Sequence, residues 1–209
     1  MIKTIIFDNN GVLTTSCETG ALDGLIKFLG VERGKFLSVW NKESEAVDEG
    51  KITSDQFLKN VLDRLGSKKD IRKCQHYYWN SYEPKNEVRD FAKKLEKDFE
   101  LVFLTNFGDG FSRFNKKWKL EEIFDKDKIF VSANIGMVKP NEDIYLYVLN
   151  KIGKKPEEVV FIDDKQENTE AAKKLGMHAI LFKSLDQLKK DLEGILKNQS
   201  ALSSRATSC

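Results

Sequence analysis

Residues 2–11 read IKTIIFDNNG, and this stretch decides the fold. Its first part, from Ile2 to Phe7, is rich in isoleucine and has the length of a short strand that is buried on both faces. Its second part, Asp8-Asn9-Asn10-Gly11, is polar and ends in glycine, which is typical of the turn after a strand. We therefore expect a buried strand that ends in a carboxylate.

Other short apolar runs have the same length and composition, and helical patterns lie between them. The further predicted strands are residues 101–104, 129–131, 159–162 and 178–182. The helical patterns cover residues 86–98, 109–117, 141–152, 168–175 and 185–197. This alternation predicts an α/β fold in layers around a mostly parallel sheet.

Polar residues follow three of the predicted strands. Asp8 follows the first, Thr105 and Asn106 the second, and Asp163-Asp164 the strand at 159–162. In parallel sheets, ligands bind beyond the carboxyl ends of the strands, so these residues are expected to converge. Such residues also begin ordinary loops, but three endings of this kind together with a distant lysine, Lys139, favour a site.

Residues 18–84 have a different pattern, which we call the helical insert. Residues 22–29, 35–48, 54–65 and 70–82 are all amphipathic, and no strand is predicted among them. Thr53 is the expected N-cap of the third helix, with Gln56 completing a capping box. The predicted organisation is a core of residues 1–17 and 85–197, the insert, and a disordered tail at 198–209.

The composition excludes several classes of protein. The 209 residues are 40% hydrophobic and 33% charged, as in ordinary globular chains. The 35 basic and 33 acidic residues are interspersed, so no nucleic-acid partner is expected. The three cysteines have no metal-ligand spacing, and neither a leader nor a membrane span is evident. We therefore expect a cytoplasmic protein that has no membrane partner.

The strand ends carry residue types that suit attack on an electrophilic centre. Asp8 is a candidate nucleophile if a metal ion and a cation such as Lys139 neutralise the approaching charge. Asp163-Asp164 offers oxygen ligands with no Cys or His nearby, which suits Mg²⁺ better than zinc. Thr105 and Asn106 are candidate donors to anionic oxygens.

These residues, in order and context, resemble the four motifs of the haloacid dehalogenase-like hydrolase superfamily over nearly the whole chain. The motifs are residues 5–13 (IIFDNNGVL), 101–106 (LVFLTN), 136–140 (GMVKP) and 161–164 (FIDD). The resemblance implies a Rossmann-like three-layer core with a mostly parallel sheet. It also implies that the helical insert is the α-helical cap that the family places between its first and second motifs.

The resemblance further implies a role for each site residue. Asp8 would be the nucleophile that forms an aspartyl-phosphate, while Thr105 and Asn106 hold the phosphoryl group. Lys139 would orient Asp8, contribute to phosphate binding and balance the charge.

It also implies Mg²⁺ as cofactor and a small phosphorylated metabolite as substrate. The ion would be bound by the Asp8 side chain, the backbone carbonyl of Asn10 and Asp164, with Asp163 as a direct ligand or an indirect helper. Candidate substrate contacts in the insert are Trp40, Asn41, Glu45, Tyr78 and Trp79.

One position departs from the family pattern. The phosphatases of the family carry an aspartate two residues after the nucleophile, where it protonates the leaving oxygen and later activates water; this chain has Asn10. An amide does neither, so hydrolysis should be slowed. Three interpretations stay open: an impaired Mg²⁺-dependent phosphatase, a metal-independent 2-haloacid dehalogenase-type hydrolase, and a non-catalytic member that binds a phosphorylated ligand or a protein.

Overall fold

A computed structural model describes residues 1–17 and 19–206, with side chains up to residue 198. One five-stranded sheet forms the centre, in the order β3-β2-β1-β4-β5, and every neighbouring pair is parallel. The strands are β1 (Thr4–Phe7), β2 (Glu100–Thr105), β3 (Ile129–Val131), β4 (Val159–Asp163) and β5 (His178–Leu181). The predicted strands and the predicted parallel sheet are confirmed.

Helices connect the strands and fill the insert. They are α1 (Asp23–Leu29), α2 (Arg33–Asp48), α3 (Ser54–Arg64), α4 (Ile71–Trp79), α5 (Asn86–Leu95), α6 (Phe111–Trp118), α7 (Ser132–Ile135), α8 (Glu142–Ile152), α9 (Gln166–Lys174) and α10 (Leu185–Ala206). Short 3₁₀ turns lie at Leu120–Glu122, Lys126–Lys128 and Pro156–Glu158. The α/β fold with an added helical segment is as expected.

Both faces of the sheet are covered by helices. Successive residues of a strand point to opposite faces, so neighbours in sequence pack against different helices. Ile5 and Phe7 of β1 pack with residues of α5, α6 and α10. Ile6, between them in sequence, packs on the other side with residues of α8 and α9. This arrangement gives the three layers of the core.

Helices α1 to α4 lie between β1 and α5 and make up the described part of the insert. The Thr53 side chain caps α3 by accepting from the backbone N–H of Gln56 at 3.2 Å. The second half of the expected capping box is wrong, since the Gln56 amide donates to Asn60 Oδ1, one turn further along the exposed helix surface. The insert contacts the core where Trp118 Nε1 donates to the Tyr82 carbonyl at 3.0 Å.

Two parts of the backbone differ from expectation. α7 is a four-residue helix that the pattern did not indicate, because it is too short to show a period. α10 continues to Ala206, past residue 198, where the sequence led us to expect a tail without regular structure. Alanine, leucine, glutamine and arginine in this segment favour a helix, and no proline stops it. Residues 207–209 lie outside the described residues.

None of the helices in the described part of the chain is both long enough and apolar enough to cross a bilayer.

Candidate active site

The polar strand ends converge as the sequence predicts. β2 and β4 flank β1, with Phe7 opposite both Phe103 and Ile162. Asp8 therefore emerges between the ends of its two neighbours, and its N–H donates to the Ile162 carbonyl at 2.9 Å. Thr105 ends β2 and is fully buried.

A buried ion-pair network lies at this edge of the sheet. Lys139 Nζ is 2.7 Å from Asp8 Oδ1 and 2.6 Å from Asp163 Oδ2, and it also donates to the Leu104 carbonyl at 3.2 Å. Burial disfavours the charge on Lys139, but Asp163 and Asp8 outweigh that effect and raise the pKa of its ammonium group. Lys139 is thus a permanent cation beside the candidate nucleophile.

The charge around Asp8 is nevertheless strongly negative. Burial raises the pKa of the Asp8 carboxyl, Lys139 opposes this, and Asp163 and Asp164 raise the pKa further. Carboxylate oxygens of Asp8, Asp163 and Asp164 all lie within 4.8 Å of one another. Lys139 pairs with two of these three carboxylates, so the cluster keeps an excess of negative charge, which a hard divalent cation such as Mg²⁺ fits.

The two neighbouring acids have different surroundings. Both carboxylate oxygens of Asp163 accept from Asn168 Nδ2, at 3.0 and 2.9 Å, and Oδ1 also accepts from the Lys165 N–H at 2.9 Å. Together with Lys139, these bonds use most of the lone pairs of Asp163. Asp163 is therefore held in place by its own hydrogen bonds, and direct binding of a cation by Asp164 stays a prediction.

Gly11 allows Asp164 to approach the loop after β1. Its φ is +89°, a value that side chains rarely adopt, and a Cβ at this position would lie 1.8 Å from Asp164 Oδ2. A glycine is thus required at position 11 for two reasons, the conformation of the turn and the carboxylate that packs on it.

Asn10 lines the same cavity as Asp8 but presents an amide. Its Oδ1 accepts from Thr14 Oγ1 at 3.3 Å and from Asn9 Nδ2 at 3.2 Å. A carboxamide in this position cannot exchange a proton with a leaving group at neutral pH. The coordination of a cation by the Asn10 backbone carbonyl stays a prediction.

Asn106 has partners that the sequence did not indicate. Its Nδ2 donates to the Lys139 carbonyl at 2.8 Å, and its Oδ1 accepts from the Lys139 N–H at 2.9 Å. This pair of bonds fixes the backbone that carries the buried ammonium group. The expected contact of Asn106 with a phosphoryl group is a separate, untested role.

A cavity of about 120 Å³ lies between the strand ends and the helical insert. Core residues on its wall include Asp8, Asn10, Thr105, Asn106, Lys139, Asp164, Lys165 and Asn168. Insert residues on its wall include Trp40, Asn41, Ser44, Val47, Asp48, Phe57, Tyr78 and Tyr82.

Three of the five candidate substrate contacts in the insert lie at the cavity. Trp40, Asn41 and Tyr78 line the cavity, whereas Glu45 and Trp79 are absent from the described residues around it. Glu45 is exposed on α2, and the ring of Trp79 packs against Phe114 and Arg113 instead. Helical periodicity alone does not tell which face of each helix meets the core.

Asp48 is a cavity residue that the sequence analysis missed. It is the last residue of α2 and is half-buried. Burial raises the pKa of its carboxyl to about 7, and the ammonium groups of Lys165 and Lys139 act in the opposite direction. Nothing in the amphipathic pattern of α2 distinguishes this acid from the other acidic residues of the same helix.

Solved structures of similar proteins share this architecture. A HAD family enzyme of Bacteroides thetaiotaomicron, in complex with magnesium and inorganic phosphate, superposes with a TM-score of 0.72 at 22% identity, covering 88% of this chain and 96% of its own. The L-2-haloacid dehalogenase of Xanthobacter autotrophicus, with chloropropionic acid covalently bound, has a TM-score of 0.68 at 17% identity, covering 93% and 83%. At such identities the likeness is one of fold alone.

Sequence comparison agrees with the fold. A D-ribitol-5-phosphate phosphatase of Bacteroides thetaiotaomicron is 24% identical over 189 residues, which cover 84% of this chain and 89% of the relative. Residues 2–176 match the haloacid dehalogenase-like hydrolase family. Because that match spans most of the chain, the protein belongs to the haloacid dehalogenase-like hydrolases.

Proposed function

We propose that this hydrolase is a Mg²⁺-dependent phosphomonoester hydrolase that acts through an aspartyl-phosphate on Asp8. The observation that carries the proposal is the cluster of the Asp8, Asp163 and Asp164 carboxylates, of which Lys139 pairs with only Asp8 and Asp163. A dehalogenase of this family works without a metal ion and has no need of such an excess of carboxylates. A phosphate, in contrast, can approach Asp8 only when that charge is neutralised.

Mg²⁺ would be held by the Asp8 side chain, Asp164 and the backbone carbonyl of Asn10, with Asp163 orienting its neighbours. When bound, the ion supplies charge neutralisation for the phosphate oxygens. Lys139 lowers the pKa of Asp8 against the effect of burial and would aim its carboxylate at the phosphorus.

Thr105 and Asn106 lie on the cavity wall next to Asp8. In the proposed function they hold the phosphoryl oxygens, with Lys139 contributing its charge. Phosphoryl transfer depends largely on such positioning and on charge neutralisation, so these residues suffice for attack by Asp8 on a good leaving group.

Asn10 slows the reaction at the leaving group. General acid–base help contributes about 10²–10⁴ in rate, or about 3–5 kcal/mol of barrier. Its loss affects the making and the breaking of the aspartyl-phosphate, whereas phosphate and Mg²⁺ binding do not depend on it. We therefore infer an enzyme with a low turnover rate and not an inactive one.

The substrate is a small phosphorylated metabolite, and the helical insert (residues 18–84) serves as the cap that selects it. The cavity of about 120 Å³ is well below the roughly 300–1,000 Å³ of sites for drug-sized ligands. Its insert wall carries Asn41 and Ser44, whose polar groups suit a hydroxylated substrate. The B. thetaiotaomicron relative acts on D-ribitol 5-phosphate, so polyol and sugar phosphates come first in a screen.

Hydrolysis of p-nitrophenyl phosphate tests the proposal. We expect slow, Mg²⁺-dependent turnover by the wild type, none by Asp8→Asn, and faster turnover by Asn10→Asp, with a gain that is largest for esters of poor leaving groups. Asp8→Asn keeps the shape of the side chain and removes the carboxylate that is the proposed nucleophile, a proposed Mg²⁺ ligand and a partner of Lys139. Binding of vanadate to each variant, measured by calorimetry, controls for damage to the pocket.

Other outcomes would contradict the proposal. Turnover that persists in Asp8→Asn rules out the aspartyl-phosphate. Chloride release from 2-chloropropionate without added metal would support the dehalogenase interpretation. If wild type and Asn10→Asp both bind vanadate and hydrolyse nothing, the protein is a binding member of the family.

A further inference from the structure

Asp48 occupies a defined position over the strand ends although it belongs to the insert. Its backbone carbonyl accepts from Ser132 Oγ, at the start of α7, at 2.5 Å. Ser132 Oγ in turn accepts from the N–H of Phe107, in the loop after β2, at 3.0 Å. The backbone that carries Asp48 is thus tied to the loop that follows Thr105 and contains Asn106.

The turn after Asp48 also lies close to the core, against the backbone of α7. A Cβ on Gly50 would lie 2.6 Å from the Ala133 carbonyl, and the residue has a φ of +73°. Only glycine lets the turn seat on α7 in this way. The end of α2 is therefore docked on the core, and the Asp48 side chain is presented to the cavity by a fixed backbone.

Asp48 is also the carboxyl that the proposed function leaves unused. Among the described residues that line the cavity, the carboxyl groups are those of Asp8, Asp48 and Asp164. Asp8 is the nucleophile and Asp164 a metal ligand in that function. A proton donor is missing from the site because Asn10 cannot serve.

We propose that Asp48 is the catalytic acid and base of this enzyme, supplied by the cap in place of the family's core aspartate. The inference rests on the proposed phosphatase function. As Asp8 attacks phosphorus, the bond to the leaving oxygen breaks and that oxygen takes the proton of the Asp48 carboxyl. The Asp48 carboxylate then takes a proton from water as the water oxygen attacks phosphorus, which releases phosphate and restores both acids.

The charges around Asp48 suit a group that gains and loses a proton near neutral pH. Burial raises its pKa to about 7, and Lys165 at the start of α9 and Lys139 before α8 lower it. From the insert, Tyr78 and Tyr82 face it as phenols whose own pKa values burial raises, so they stay neutral. An acid whose pKa lies near the working pH is the most effective proton carrier.

Leaving-group dependence is the readout that separates proton transfer from a structural role. p-Nitrophenolate is a good leaving group and departs readily without a proton. Unsubstituted phenolate is a poorer leaving group, and its departure depends more strongly on proton donation. We expect Asp48→Asn to lower kcat/KM for phenyl phosphate by about 10²–10⁴-fold and for p-nitrophenyl phosphate by less than about 10-fold. In the wild type, kcat/KM for phenyl phosphate should fall as pH rises above about 7, where Asp48 loses its proton, and this limb should vanish in Asp48→Asn.

Two further variants sharpen the test. Glu49→Gln removes a neighbouring carboxylate that pairs with Lys51 on the surface, and it should behave as wild type. The Asn10→Asp background restores the family's acid. In that background Asp48→Asn should lower kcat/KM by less than about 10-fold with either ester. A residue that merely shapes the pocket would cost the same in both backgrounds.

The outcomes separate this inference from the function on which it rests. If Asp48→Asn lowers kcat/KM equally with both esters, or does not lower it with phenyl phosphate, the proposed role of Asp48 is wrong. The proposed attack by Asp8 is unaffected by that result. The role of Asp48 is also wrong, and that of Asp8 unaffected, if the wild type hydrolyses neither ester while Asn10→Asp hydrolyses them. Activity that survives Asp8→Asn overturns the phosphatase function itself, and the role of Asp48 with it.

Discussion

Replacing Lys139 by methionine would expose how the site depends on one buried cation. The ammonium group contacts Asp8 and Asp163 at 2.7 and 2.6 Å, and the three side chains are 2%, 8% and 0% exposed. Methionine keeps the length of the side chain and removes the charge. Two carboxylates are then left buried without their shared partner.

The size of the effect follows from this burial. Removing one partner of a buried ion pair costs about 3–5 kcal/mol of unfolding free energy, because the remaining charge is uncompensated. For a chain of this length each kcal/mol lowers Tm by about 2–4 °C, which corresponds to a loss of about 6–20 °C. Surface screening does not reduce the figure, since none of the three groups is solvated.

The loss should depend on pH in a definite direction. Lys139 lowers the pKa of Asp8, so its removal raises that pKa further above the value of about 3.9 in the unfolded chain. The folded variant then binds more protons than the unfolded variant, and its stability falls as pH rises from about 4 through the raised pKa. Lys139→Met should therefore lie closest to wild type at pH 5 and furthest from it at pH 8.

Urea unfolding followed by tryptophan fluorescence at pH 5 and pH 8, without and with Mg²⁺, measures the effect. Added Mg²⁺ should recover part of the lost stability at pH 8, because it binds only the folded cluster. Lys59→Met, at an exposed position of α3, is the matched control and should stay within about 0.5 kcal/mol of wild type. A Lys139→Met variant that is as stable as this control at pH 8 without Mg²⁺ would refute the reasoning.

Two other substitutions test the loops around the site. Gly11→Ala should weaken Mg²⁺ binding by about 10–100-fold in calorimetry, because the new Cβ displaces the Asp164 carboxylate; unchanged affinity would show that Asp164 is not a ligand. Asn106→Ala should lower kcat by about 10²-fold with vanadate affinity retained, because it frees the Lys139 backbone and lets the ammonium group shift. If vanadate affinity falls as much as kcat, Asn106 instead holds the phosphoryl group directly.

The fold was predictable because its signals are local. A continuous apolar run such as residues 159–162 can be satisfied only where both faces of a strand are covered, and helical patterns between such runs require a parallel sheet. Element ends were less predictable: α10 passes residue 197, where the change to small polar residues suggested a stop. Such residues weaken a helix without ending it.

The strand-end part of the site was predictable for the same reason. Parallel strands present their carboxyl ends at one edge, so Asp8, Thr105 and Asp163 had to meet once the strands were assigned. The partners of Asn106 were not predictable, since its bonds to Lys139 join residues that are distant in sequence.

The sequence by itself determined the layered fold, the position of the candidate nucleophile Asp8 at a strand end and the amide at Asn10, because strand and helix periods are set by residues that are close in the chain. The tertiary structure alone decided which acids face the cavity. Asp48 and Glu45 lie on the same helix, and only the docking of α2 on Ser132 turns one of them inward and leaves the other exposed. The docking of α2 is a contact between segments that are distant in sequence. These segments interact only when folding has brought them together, so the local sequence pattern does not reveal the contact.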